Sequence, residues 1–106
     1  MDAALKAIAE PHRREILRLV RADERSAGDI AKHFEVTRPA ISQHLRVLKE
    51  AGLVTERKDG TRRFYRARPE TIAQLRRFLA DFWEERLERL KLAAEWEQRR
   101  KRRARG

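Results

Sequence analysis

Between Thr37 and Arg46 the chain reads Thr-Arg-Pro-Ala-Ile-Ser-Gln-His-Leu-Arg, a stretch that mixes base-reading and phosphate-gripping side chains. A glutamine such as Gln43 makes paired hydrogen bonds to adenine, and an arginine such as Arg46 pairs with guanine or grips phosphate. The hydroxyls of Thr37 and Ser42, the guanidinium of Arg38 and backbone N–H groups at a helix start all suit phosphate oxygens. A second cluster follows at Arg57, Lys58, Arg62 and Arg63, on either side of Asp59-Gly60. Four like charges at one hairpin tip repel one another unless an anion lies between them, and a nucleic-acid backbone or minor groove supplies one. The plainer alternative is an edge strand charged against aggregation.

Other chemistries find less support. The chain has no cysteine, so disulfides, thiolate metal sites and cysteine nucleophiles are excluded. Ser26 and Ser42 lack a recognisable base and orienting partner, and no glycine-rich phosphate loop is present. Of the three histidines, His12 falls in a first helical turn, His33 on a third helix and His44 beside a buried stripe. No two share a helix face, so no metal-ligand pair is expected and His44 reads as a packed, hydrogen-bonded residue. No enzyme activity and no cofactor are expected.

Charge is sorted along the chain. The formal net charge is +10 over 106 residues. Residues 37–68 hold nine basic and three acidic groups, and residues 99–106 hold six basic and none acidic. Two localised anion-facing regions fit that distribution better than a uniformly solvated surface. No apolar run approaches the roughly 18 residues of a membrane helix, and Met1-Asp2-Ala3-Ala4 does not open like a signal peptide. The expectation is one basic, cytoplasmic domain over 1–95, with no membrane partner, followed by a basic and disordered tail over 96–106.

The elements that must position these residues can be read in order. Asp2 is placed to cap a short helix carrying Leu5 and Ile8, and Pro11 suits the first turn of a second helix with Ile16, Leu17 and Val20 inside. Ser26 followed by Asp29 approximates a capping box for a third helix with Ile30, Ala31 and Phe34 on one face. Thr37 and Pro39 then open a fourth helix, from about Arg38 to Ala51, with Ile41, Leu45 and Leu48 buried and Gly52 as its stop. On this helix Gln43, Arg46 and Glu50 project away from the core, with Ser42 between. Two helices joined by a few residues are a helix-turn-helix. The β-prone runs 53–58 and 61–66 around Asp59-Gly60 predict a hairpin with both turn residues at positive φ. A helix-turn-helix followed by a basic hairpin is a winged helix: mainly α, about five helices and a two-stranded wing. From Pro69 to about Gln98 runs a long helix striped with Ile72, Leu75, Leu79, Trp83 and Leu90 and widened by Phe78, Phe82, Leu87 and Trp96. That stripe is longer than one small subunit covers, which points to a homodimer seam.

Three blocks resemble the ArsR-type (arsenical-resistance repressor) family. Residues Ala9 to Leu17 resemble its second helix. Arg38 to Leu48 with Ala51-Gly52-Leu53-Val54 resembles its recognition helix and exit. Gly60 with Arg62, Arg63 and Tyr65 resembles its wing. The resemblance implies a bacterial or archaeal homodimeric repressor that occupies operator DNA. It also implies pairing through the first and last helices, where Leu5, Ile8, Leu75, Leu79, Phe82, Trp83 and Leu90 lie. Metal sensing is not carried over, because Gly28 to Glu35 lacks cysteine and 69–98 lacks histidine. The chain looks more like the family's metal-free branch, with an unknown inducing ligand. The alternative is a winged helix used to dock protein or RNA, which predicts only sequence-blind, salt-sensitive nucleic-acid binding.

Overall fold

The structure, a computed structural model, describes the backbone of residues 1–105 and the side chains of residues 1–102. Five helices and three strands follow in the order α1 (Asp2–Ile8), α2 (Pro11–Ala22), β1 (Arg25–Ser26), α3 (Ala27–Ala31), α4 (Arg38–Glu50), β2 (Val54–Asp59), β3 (Arg62–Ala67) and α5 (Pro69–Arg105). Met1–Leu75 forms one compact unit, and α5 from Arg76 onward a second.

Local chemistry sets most boundaries. The Ser26 hydroxyl accepts from Asp29 N–H at 3.1 Å and starts α3, and the Thr37 hydroxyl accepts from Ala40 N–H at 3.3 Å and starts α4. The end of α4 is a Schellman motif, in which Gly52 N–H donates to Lys49 C=O and Leu53 N–H to Leu48 C=O, both at 3.0 Å. Gly52 takes φ +76°, a conformation that side-chain-bearing residues rarely adopt. Asp2 does not cap α1; it is that helix's first residue, where its charge meets the positive end of the helix dipole. The cap found on α2 is Glu10, whose carboxylate accepts from Arg13 N–H at 3.0 Å.

Ile16, Val20, Ile30, Ile41, Leu45, Leu48 and Leu53 are the large side chains sealed completely inside the first unit. Each contributes about 1.5–3 kcal/mol by leaving water. The face that α1 buries is Ala4 and Ala7, while Leu5 and Ile8 pack only partly against the core. Leu75 is 6% exposed and belongs to that same core. It is therefore already covered by its own chain, unlike the other seam candidates of the last helix.

The sheet has three antiparallel strands in the order β1-β3-β2, one more than expected, because Arg25 and Ser26 pair with Tyr65 and Phe64. The hairpin register pairs Asp59 with Arg62, so the two-residue loop is Gly60-Thr61 rather than Asp59-Gly60. Of its two residues only Gly60 has positive φ (+64°). That is the type II′ requirement, whereas an Asp-Gly type I′ turn would need two such residues.

In the second unit Leu79, Phe82, Trp83, Leu87, Leu90 and Trp96 are all exposed. The helix runs to Arg105, past the expected end near Gln98. Two features favour helix there: Glu95 and Glu97 lie four residues before Arg99 and Lys101, and cations suit a helix C-terminus.

Candidate nucleic-acid interface

Alternation along the wing decides which cations share a surface. In the observed register Val54, Glu56 and Lys58 lie on one sheet face with Ala67, Tyr65 and Arg63. Arg57 and Asp59 lie on the other face with Phe64 and Arg62. The four wing cations are thus split two and two instead of crowding one tip.

On the outer face, Arg57 donates from Nη2 to Glu24 Oε1 at 2.6 Å and from Nε to Oε2 at 3.3 Å. Its guanidinium lies 4.7 Å from the Phe64 ring centre, with that of Arg62 5.0 Å away across the same ring. The hydrogen bonds from Arg57 hold the Glu24 carboxyl below its ordinary range. Arg57 therefore already has an anion within the chain, which qualifies its reading as a free phosphate ligand.

On the inner face the wing and α4 enclose a groove of about 850 Å³. Ser42, Gln43, Arg46 and Lys49 line one wall, and Glu56, Arg63 and Tyr65 the other. Ser42, Gln43 and Arg46 are exposed, as expected for the outward face of α4. Arg46 has one ionic partner, Glu50 one turn on, at 3.5 Å. Arg38 and Lys58 are exposed but do not line this groove, while the Thr37 hydroxyl is committed to its cap.

Lys49 and Glu56 were missing from the sequence reading. Glu56 is nine-tenths covered, yet Tyr65 Oη donates to its Oε2 at 3.1 Å, Lys49 Nζ lies 3.5 Å from the same oxygen, and Arg63 Nε lies 4.0 Å from Oε1. Burial pushes this carboxyl upward, but the Tyr65 hydrogen bond and the two cations outweigh it and hold it below the usual value. Burial and the Glu56 charge together raise the Tyr65 hydroxyl. The available signal was the alternation from Val54, which puts Glu56 on the inward face once the register is fixed.

His44 is packed and hydrogen-bonded as expected, but two of the histidines, His12 and His44, are not kept apart. Glu10, His12 and His44 bring their ligand atoms within 4.8 Å of one another, although they are scattered in sequence and occupy two helices. The reading that kept them apart considered each helix alone and missed the packing of α2 on α4. The His12 and His44 rings stack at 5.6 Å, and His12 Nδ1 is 2.8 Å from Glu10 Oε1. Arg13 Nη1 lies 3.4 Å from His44 Nδ1, while its Nε donates to Ala7 C=O at 2.6 Å. The group ties α1 and α2 to the middle of α4. Burial is the first cause that lowers His44 below the ordinary histidine value of 6.5, and the Arg13 charge adds to it against the pull of Glu10.

The stretch from α2 into the wing, residues 10–56, matches the family described as "Bacterial regulatory protein, arsR family". A crystal structure described as a possible transcriptional regulator for arsenical resistance is 49% identical and superposes with a TM-score of 0.75 over 85% of this chain and 93% of its own. The chain belongs to the ArsR family. The transcriptional repressor SdpR of Bacillus subtilis is similar at 42% identity over 65 residues, 61% of this chain and 72% of that protein. A solution structure of a homodimeric winged helix-turn-helix DNA-binding domain from Mycobacterium bovis is 33% identical, with a TM-score of 0.65 over 79% of this chain and 78% of its own. The ArsR fold thus accounts for the helix-turn-helix formed by α3 and α4 and for the β2–β3 wing. In this ArsR chain α3 and its exit supply no thiolate, and α5 supplies no imidazole, so those two positions do not fit a soft metal ion.

Proposed function

We propose that this ArsR-family regulator is a homodimeric transcriptional repressor that occupies operator DNA, with α4 reading base edges and the wing holding the backbone. One observation carries the reading: an exposed face of Ser42, Gln43 and Arg46 shares a groove with the wing cation Arg63, in a segment where the chain's positive charge concentrates. A helix of this kind enters a major groove about 12 Å wide. Gln43 and Arg46 read bases, Ser42, Arg38, Lys58 and Arg62 contact phosphate, Arg63 is held toward Glu56 in the groove wall, and the Thr37 cap fixes the start of α4. Repression works by occupancy and needs no catalysis or cofactor. The homodimeric relative supports pairing of two such chains. The exposed side chains Leu79, Phe82, Trp83 and Leu90 of the second unit supply an apolar seam, and in the first unit the half-buried Leu5 and Ile8 are assigned to pairing as well. Two recognition helices then meet half-sites one or more turns (~34 Å each) apart. Among the described residues no helix is long and apolar enough to cross a membrane, which accords with action on cytoplasmic DNA. Residues 96–106 form a cationic arm beyond the domain of residues 1–95, adding affinity without specificity.

Selection of bound fragments from a genomic DNA library tests the proposal. A recurring inverted repeat upstream of genes is expected. Recovery of fragments without a shared sequence would overturn it in favour of sequence-blind binding.

A further inference from the structure

The interface contains a feature that phosphate binding alone would disfavour, a negative charge set into the wall of an anion-facing groove. Glu56 lies on the inner face of the wing, opposite Tyr65 in the strand register. Its carboxylate is nine-tenths covered, and an ion so withdrawn from water depends on nearby partners to offset the lost hydration. Those partners come from both walls: Lys49 from α4 at 3.5 Å, and Tyr65 at 3.1 Å and Arg63 at 4.0 Å from β3. Lys49 and Arg63 remain more than half exposed, so their charged ends reach the groove while leaning on one buried anion. A glutamine would fill the same space and accept the same Tyr65 hydrogen bond. What the carboxylate adds is charge, directed at two cations that would otherwise be free for any phosphate.

We propose that Glu56 is a positioning residue that sets discrimination between operator and unrelated DNA by holding Lys49 and Arg63 back from sequence-blind phosphate contacts. On unrelated DNA, affinity is nearly all counterion release, so cations withheld from phosphate weaken that binding directly. On the operator, Gln43 and Arg46 add contacts that do not depend on Lys49 or Arg63. The carboxylate therefore lowers the sequence-blind part of binding more than the specific part. It also locks the wing to α4, since one anion joins both. This inference rests on the DNA-binding reading above.

The test compares the full-length protein with Glu56→Gln by fluorescence anisotropy, against a library-selected duplex and a shuffled duplex of equal length, across a salt series. Freed cations should steepen the salt dependence on the shuffled duplex by ~2–4 for a dimer, at about 0.9 per phosphate gained. Shuffled-duplex affinity should rise and the selected-to-shuffled ratio should fall. Adding Lys49→Met to Glu56→Gln should remove about half of the steepening, which ties the effect to a named cation and not to general loosening. An unchanged slope in Glu56→Gln, or weaker binding to both duplexes, overturns the proposal. If the unmodified protein itself shows no preference between the duplexes, the DNA-binding reading fails instead, and the two failures are distinguishable.

Discussion

Replacing Gln43 and Arg46 by alanine, singly and together, perturbs recognition with little effect on the fold. Both side chains are exposed on α4 and neither belongs to the core, so each change should alter stability by less than about 0.5 kcal/mol. A bidentate contact to the correct base is worth about 1–3 kcal/mol. Arg46 first gives up its link to Glu50 at 3.5 Å, but both partners are about seven-tenths exposed. Such surface pairs contribute ~0–1 kcal/mol, so the net loss per half-site is about 1–2 kcal/mol for Arg46. That is a five- to thirtyfold weakening per half-site, or ~30- to 700-fold in Kd when both half-sites of a dimer lose the contact, at about 1.4 kcal/mol per factor of ten. Among the described residues Gln43 has no such partner to give up, and its loss falls across the full range. Anisotropy titrations against the selected duplex, and against duplexes changed symmetrically at single base pairs, read both effects. Each alanine variant should become indifferent to one base pair that the unmodified protein distinguishes. Discrimination retained at every position, or equal loss on all duplexes, would refute the assignment of these two side chains as readers.

Four further outcomes follow from the same structure. Arg62→Ala should weaken all duplexes alike and reduce the salt slope by about one per lost phosphate contact, whereas an effect confined to one sequence would move Arg62 to base reading. Trp83→Glu places an unpaired charge in the proposed apolar seam, so sedimentation should show a monomer where the unmodified chain is a dimer. A dimer that survives the change moves the seam elsewhere. His44 has its pKa depressed in the folded state, so the stability linked to its neutral form is present above pH 6.5 and lost as pH falls below it. Thermal unfolding from pH 7.5 to 5 should show that loss in the unmodified protein and a smaller one in His44→Gln; equal slopes would rule out His44 as its source. Truncation after Gln98 should flatten the salt dependence and weaken selected and shuffled duplexes by similar factors, and an unchanged slope would leave the last basic residues to solubility alone.

Much of the architecture was legible because it is encoded locally. Ser26, Thr37 and Gly52 mark helix ends through bonds to residues three positions away, Pro39 does so through its fixed φ and missing donor, and the Ile41-Leu45-Leu48 stripe needs only helical geometry. The outward face of α4 was legible for the same reason. What escaped depends on pairing between distant segments. The strand at Arg25–Ser26 is too short for a periodic signal and exists only because β3 offers it an edge. The Arg57–Glu24 bond joins residues 33 apart. The meeting of Glu10, His12 and His44 requires α2 to lie on α4. Asp-Gly was read as the turn itself, whereas Gly60-Thr61 closes it, so every cross-strand partner moves by two residues. The faces are unchanged by that move, but Glu56 comes opposite Tyr65 instead of Arg63, and its hydrogen bond to Tyr65 was hidden. Leu75 was assigned to the seam since the helical stripe is continuous through it, and sequence periodicity does not show where a subunit's own core ends.

The central claim, that α4 reads base edges in the major groove, is tested most directly by methylation interference on the selected duplex. Methyl groups on guanine N7 project into the major groove and should block binding at two clusters on one face of the DNA, separated by one or more helical turns of ~34 Å. Binding that tolerates N7 methylation throughout, while remaining sensitive to salt, would contradict the account.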